Sequence, residues 1–219
     1  MLQPRPPIVV ILGHVDHGKT TLLDSLRKTN LAAREVGGIT QSTHAFQLTT
    51  KDQQPITFID TPGHAAFSQM RTRGGKIADI AILVVAATDG VMPQTKESIA
   101  TINSAGIPMI VAINKIDIPG ASVDTIKAQL TENGVLVEGF GGNVPVVAIS
   151  AKTGTGLPEL LEMIHLVSSL NPPQADPDGL LECIVLESHL DARRGPLATC
   201  IIKNGTLCIG QELFLDKLV

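Results

Sequence analysis

The 219-residue chain has no tryptophan, no tyrosine and five phenylalanines, so a single-strand binder built on aromatic stacking platforms has almost nothing to be made from. Cysteine is scarce too. Cys183, Cys200 and Cys208 all fall late, form no Cys-x-x-Cys pair and sit among Ile, Leu and Val, which predicts plain buried thiols in a reducing compartment. The longest uncharged apolar run, Ile80 to Ala87, is too short to cross a bilayer, and no membrane partner is expected. Positive charge is not in excess either. Lys and Arg number 17 against 21 Asp and Glu, and the net charge of −4 repels phosphate polymers except at local basic patches. The start, MLQPRPPIVV, places prolines and an arginine before a short apolar stretch, which is not the layout of a signal peptide; a cytoplasmic or organellar-matrix location is the expectation.

What the chain does have is enough length and apolar content, 43%, to bury a real core. From Ile8 to about Leu170, short β-branched runs alternate with helical-period stretches, which predicts an α/β domain with a parallel-type six-stranded sheet. The strand candidates are Ile8 to Leu12, Thr43 to Leu48, Ile56 to Asp60, Ile80 to Ala86, Met109 to Asn114 and Val144 to Ile149. Helices fit Thr20 to Lys28, Ala65 to Arg73, Gln94 to Ala105, Val123 to Thr131 and Pro158 to Leu170. Residues 171–179, NPPQADPDG, hold three prolines and a glycine and read as a linker. The alternating pattern over 180–219 predicts the opening of an antiparallel β-barrel that about forty residues are too few to close. The expected division is therefore 1–170, a nucleotide-binding domain, then the linker, then a partial barrel.

Chemistry concentrates at the ends of predicted strands. Gly13-His-Val-Asp-His-Gly-Lys19-Thr20 fits GxxxxGK[ST] between a strand and a helix, the context in which that pattern makes a phosphate cradle. The cradle takes in Gly13, Val15, Asp16, His17, Gly18 and Thr21, with backbone N–H groups facing the phosphates. Lys19 would neutralise β- and γ-oxygens and the Thr20 hydroxyl would ligate Mg²⁺. Asp60, at the end of the third strand, is the expected second-shell Mg²⁺ partner, and Gly63 offers an unobstructed N–H to a γ-phosphate. Asn114-Lys115-Ile116-Asp117 points to guanine: a buried carboxylate at Asp117 accepts from both N1–H and the exocyclic amine, a donor pair adenine lacks. Asn114 would tie the base side to the phosphate loop, the stem of Lys115 would cover the ring, and Ser150-Ala151-Lys152 would present an N–H to the guanine carbonyl. Asp16 lies close enough to phosphates to need a cation, and a monovalent ion there is the expectation. His14 and His17 are too few for a zinc site.

These pieces in this order resemble the translational GTPases. Within that group the runs GHVDHGKT, Gly37-Gly38-Ile39-Thr40-Gln41, DTPGHAAFSQMRTRG and DGVMPQTKESI are similar to the initiation factor two proteins of bacteria and organelles, with elongation factor Tu the nearest rival. The later run DARRGPLAT and GTLCIG resembles their second, barrel domain. Ser42-Thr43-His44-Ala45 departs from the small Gly-Ala pair usual there.

The resemblance implies a GTPase switch that cycles between GTP and GDP with Mg²⁺. Thr40 would close over Mg²⁺ and γ-phosphate, His64 would orient the attacking water, and Val15 and Ile39 would form an apolar gate beside it. It also implies a ribosome-dependent monomer promoting initiation and subunit joining, with initiator transfer RNA held only by domains absent from these residues. Arg71, Arg73 and Lys76, and Arg193 and Arg194, are candidate contacts to ribosomal RNA or solvated side chains. Two other readings stand beside this one. In the first, GTP orders a docking surface and hydrolysis is incidental; in the second, a P-loop kinase or ATPase, adenine would be preferred, against Asn114 to Asp117.

Overall fold

A computed structural model describes residues 1–29, 44–50, 54–60, 77–191 and 193–213. In chain order the strands are β1 (Gln3–Pro4), β2 (Ile8–Gly13), β3 (His44–Thr49), β4 (Pro55–Asp60), β5 (Ile80–Ala86), β6 (Met109–Asn114), β7 (Val146–Ala148), β8 (Gln174–Ala175), β9 (Glu182–Asp191) and β10 (Gly195–Asn204). The helices among the described residues are α1 (Lys19–Thr29), α2 (Pro93–Ala105), α3 (Val123–Glu132) and α4 (Leu157–Leu170). The helix expected over Ala65 to Arg73 lies outside the described residues.

Six strands form one sheet in the order β3-β4-β2-β5-β6-β7. Continuous apolar runs make its middle, because strands covered on both faces need no polar side. Successive side chains go to opposite layers. On β2, Ile8, Val10 and Leu12 enter one core cluster with Ile99 and Ile102 of α2 and Ile126 and Leu130 of α3. Val9 and Ile11 enter the other, with Leu22, Leu23 and Leu26 of α1 and Leu157, Leu160 and Ile164 of α4. The sheet is thus a two-sided wall with helices on each face. β5, all seven residues buried, is its centre.

The sheet departs from an all-parallel one at its edge. β3 runs antiparallel to β4, with Phe46 opposite Phe58, because only residues 50–54 join them and a parallel crossover needs a dozen or more. The remaining pairs, β4-β2, β2-β5, β5-β6 and β6-β7, are parallel, so their carboxyl ends share one edge.

Residues 171–179 hold more order than a bare linker. Gln174 and Ala175 pair antiparallel with Pro4 and Gln3, and Arg5 N–H donates to the Pro173 carbonyl at 2.9 Å. Arg5 also grips Asp79 through both terminal nitrogens, at 2.7 and 2.8 Å, while Asp79 accepts from Ile8 N–H at 2.8 Å. The amino-terminal arm is fixed to the base of the sheet by these bonds. Beyond it, β9 and β10 form a two-stranded antiparallel sheet with a register shift between Thr199 and Cys200. Its inner face is held by Ile201, buried in the first cluster, with Ile184 and Leu186 packed against that cluster. Cys183 and Cys200 are half-buried, and burial together with the Cys200 thiol pushes the Cys183 thiol up to about 11. Cys208 corrects the expectation of three buried thiols: it is exposed, next to the turn at 209–210.

Candidate functional site

Gly13 ends β2 at φ 142, where an added Cβ would run into the Val84 carbonyl oxygen of β5. Only glycine lets the chain turn so near its neighbouring strand. Asp16 and Gly18 follow at φ 65 and 87, and α1 begins at Lys19. A Cβ on Gly18 would strike Asn114 Nδ2. The loop so formed curls around one ammonium group: Lys19 Nζ donates to the carbonyl oxygens of Gly13 and His14 at 2.9 and 2.6 Å. Thr20 and Thr21 are exposed in the first turn of α1, and Asp16 and Val15 are exposed on the loop.

His17 is the inward side of this loop. It is fully buried, with Nδ1 3.3 Å from the Val84 carbonyl oxygen and Nε2 buried without a hydrogen-bond partner. Burial lowers its pKa from 6.5, opposed by the bond to Val84, so the ring is neutral and Nδ1 is assigned the proton. Its ring lies edge-on to that of His14, centroids 5.0 Å apart. No group of three or more His, Cys, Asp or Glu poised to hold a metal occurs among the described residues.

From β6, Asn114 joins three segments. Its Nδ2 donates to the His17 carbonyl at 2.9 Å, and its Oδ1 accepts from Ala151 N–H at 2.9 Å. Both ends of the amide are used, and the side chain is buried, so its orientation is fixed. Lys115 follows at φ 66, a left-handed conformation that is uncommon outside glycine, and its Nζ lies 3.2 Å from Asp89 Oδ2.

Asp117 stands differently from the expectation of a buried carboxylate. It is exposed, because it sits in the turn beyond the sheet edge, and it is oriented by one bond instead: Ser150 Oγ donates to Asp117 Oδ1 at 2.7 Å. That hydroxyl is the main cause of a carboxyl pKa below the ordinary range. Of the Ser150-Ala151-Lys152 turn, two N–H groups already have partners: Ser150 N–H donates to the Thr155 carbonyl and Ala151 N–H to Asn114. Lys152 is exposed.

Gly13, Val15, Asp16, His17, Gly18, Lys19, Thr20, Thr21, Asn114, Lys115, Asp117, Ser150, Ala151 and Lys152 therefore fall at one edge of the sheet, the carboxyl ends of β2, β6 and β7. β4 ends at Asp60 beside β2 on that same edge. Ile39, Thr40, Gly63 and His64, with Arg71, Arg73 and Lys76, lie outside the described residues. Arg193 and Arg194 are exposed in the β9–β10 turn, their N–H groups donating to Asp191 Oδ1.

Three further side chains reach this edge, Asp89 and Gln94 from the run DGVMPQTKESI and Gln129 from outside every quoted motif. Gln94 Oε1 accepts from Val15 N–H at 3.0 Å, Gln129 Oε1 accepts from Val91 N–H at 3.0 Å, and Asp89 meets Lys115. Each contact joins residues 26 or more positions apart, a separation that leaves no local signature.

The family model described as elongation factor Tu GTP binding domain matches residues 5–169. A translation initiation factor IF-2 from Desulforamulus reducens is 53% identical over 98% of this chain and 22% of its own length. One from Erythrobacter litoralis is 56% identical over 96% of this chain and 25% of its own. The chain thus spans about a quarter of the curated relatives it matches. Among solved structures, GDP-bound aIF5B from Aeropyrum pernix superposes with a TM-score of 0.79 at 34% identity, over 93% of this chain and 42% of that one. Translation elongation factor SelB from Methanococcus maripaludis, in complex with the GTP analogue GPPNHP, gives 0.69 at 26% identity, over 93% and 42%.

Proposed function

The chain belongs to the elongation factor Tu GTP-binding domain family, and from that premise we propose that it is the GTP-binding and GTP-hydrolysing module of an initiation factor two, a ribosome-dependent switch that promotes initiation. The observation that carries this reading is the Asn114 side chain, which bonds to His17 of the phosphate loop and to Ala151 beside Asp117. One buried amide makes the phosphate cradle and the guanine seat a single site.

Within it, the roles divide by chemistry. Lys19 and the backbone N–H groups of residues 18–21 hold the phosphates; Asp117, oriented by the Ser150 hydroxyl, accepts the guanine N1–H and amine; Lys115 covers the ring. The residues present fit Mg²⁺, a hard cation that takes oxygen ligands: Thr20 presents an exposed hydroxyl and β4 delivers Asp60 to the adjacent strand end. When bound, Mg²⁺ supplies charge neutralisation on the β- and γ-phosphates. The exposed Asp16 is suited to a monovalent cation there. Thr40 and Gly63 would close over the γ-phosphate, and His64 would orient the attacking water behind Val15 and Ile39. The division into a nucleotide domain over 1–170, a linker and the first hairpin of a barrel over 180–219 belongs to the same reading, as do a monomeric state and the cytoplasm or organellar matrix. Initiator transfer RNA would be held by parts of the longer relatives that these residues do not include.

Competition binding tests it. With Mg²⁺ present, unlabelled GDP and GTP are expected to displace a fluorescent GDP, and ADP and ATP to fail at a thousandfold higher concentration. Equal displacement by adenine nucleotides would reject the guanine assignment and favour a P-loop ATPase.

A further inference from the structure

The segment from Ala87 to Gln94 carries no role in the site described so far, yet it touches both of its ends. At the base end, Asp89 meets Lys115 Nζ at 3.2 Å, and Ala87 N–H donates to the Asn114 carbonyl at 2.8 Å. Midway, Gly90 turns at φ 74 where a Cβ would collide with Gln129 Oε1, the oxygen that accepts from Val91 N–H. At the phosphate end, Gln94 Oε1 accepts the Val15 N–H at 3.0 Å.

Gln94 stands on firm ground. It lies in the first turn of α2, whose start is set by Pro93 and by Thr95 Oγ1 accepting from Met92 N–H, and its own carbonyl accepts from Ser98 Oγ at 2.8 Å. Further along, Ile99 and Ile102 anchor the helix in the core. Val15 has no such support: it is 52% exposed and belongs to neither core cluster. A backbone N–H in a phosphate loop ordinarily serves the ligand. Here the Val15 N–H is committed to a side-chain oxygen carried by a rigid helix.

We propose that Gln94 is a positioning residue that fixes Val15, withholding its N–H from the phosphates and holding its isopropyl group at the rim of the cradle, where it governs access of the attacking water. This inference rests on the proposed GTP hydrolysis. Gln94 touches no reacting atom and acts through Val15 alone.

The test is made on the 219-residue chain, on Gln94→Met, which keeps the side-chain length without the acceptor, on Val15→Ala and on the double variant. Amide hydrogen exchange of Val15 in the GDP-loaded proteins is expected to be about tenfold or more faster in Gln94→Met than in the parent. Single-turnover hydrolysis of GTP is expected to slow by about tenfold in Gln94→Met while GDP affinity stays within about twofold, a split that loss of folding does not produce. Adding Gln94→Met to Val15→Ala is expected to slow it little further. Equal Val15 exchange in parent and Gln94→Met, a GDP affinity falling by the same factor as the rate, or full additivity of the two substitutions would overturn the proposal. If the parent hydrolyses too slowly to follow, the exchange measurement decides. A parent that binds no guanine nucleotide rejects the functional reading itself, whatever Gln94 does to the Val15 amide.

Discussion

At the proposed base end of the site, position is set by side chains: Asn114 uses both ends of its amide, and Asp117 is held by Ser150 Oγ. At the phosphate end it is set by backbone, with Gly13, Asp16 and Gly18 at positive φ and Lys19 spanning two carbonyl oxygens. The difference follows from what each end must recognise. A purine edge has a pattern of donors and acceptors that a particular side chain can read. Phosphate oxygens are alike in every nucleotide, and closely spaced N–H groups on a tightly curved chain serve them best. Identity should therefore reside at one end and grip at the other.

Asp117→Asn divides the two ends most sharply. Guanine affinity should fall by about 10³–10⁴-fold, since a carboxylate accepting two donors is replaced by an amide that opposes one of them. Xanthine nucleotides, which offer an acceptor there, should bind in place of guanine with the phosphate end intact. Titration of fluorescent GDP and XDP checks this. Unchanged guanine preference would mean that identity is read elsewhere.

Gly18→Ala attacks the other end. Its Cβ would be built at φ 87 and against Asn114 Nδ2, so it would both strain the loop and displace the amide that links the ends. A loss of about 2 kcal/mol of stability is expected in urea unfolding, from strain and overpacking together. GDP and GTP should lose affinity alike, and in the Asp117→Asn background XDP should lose it by the same factor. A selective loss of guanine would show that the ends are less separable than their construction implies.

How much of this was legible in the sequence differs between the same two ends. The turn from β2 into α1 was, because a contiguous run such as Gly13 to Thr20 carries its own conformational requirements. The two-sided wall was legible in the runs IVVIL and IAILVVA, which have no polar alternation. The antiparallel placement of β3 was not: apolar periodicity identifies a strand and says nothing of its direction, which here follows from a five-residue connection. Nor did sequence reveal that Asp117 is exposed and relies on Ser150, 33 residues away, for its orientation. Contacts such as Gln94 with Val15 arise only when the sheet brings distant strand ends together.

The buried ring of His17 sharpens the comparison from below, since it supports the phosphate end from inside the fold. Burial holds its pKa under 6.5, against the bond to Val84, with smaller influences from His14, Asp89 and Lys115. The unfolded chain therefore takes up this proton at a higher pH than the folded one. The stabilising contribution of the neutral ring is full above pH 6.5 and declines as pH falls from there through the folded pKa. Thermal unfolding between pH 7.5 and 5.5 should show that decline, and His17→Gln, which cannot take the proton, should flatten this part of the profile. The same slope in both proteins would assign it to other groups.

The smallest effect is expected where a side chain acts on another side chain. Ser150→Ala removes the donor that holds Asp117 and is the main reason its carboxyl ionises below the ordinary range. The carboxylate would remain, exposed and free to rotate, so guanine affinity at neutral pH should fall by only about 3–10-fold, the net worth of one ordinary hydrogen bond in contact with solvent. The acid side of the binding profile is more telling. Guanine needs the ionised form, and a depressed pKa lets binding persist to lower pH; without Ser150 the carboxyl titrates higher, so GDP binding should be lost at a higher pH than in the parent. Phosphate groups and His17 contribute to both profiles equally, so the displacement between them reports Asp117. Coincident acid limbs would mean that Ser150 orients nothing and that the base end depends on Asn114 alone.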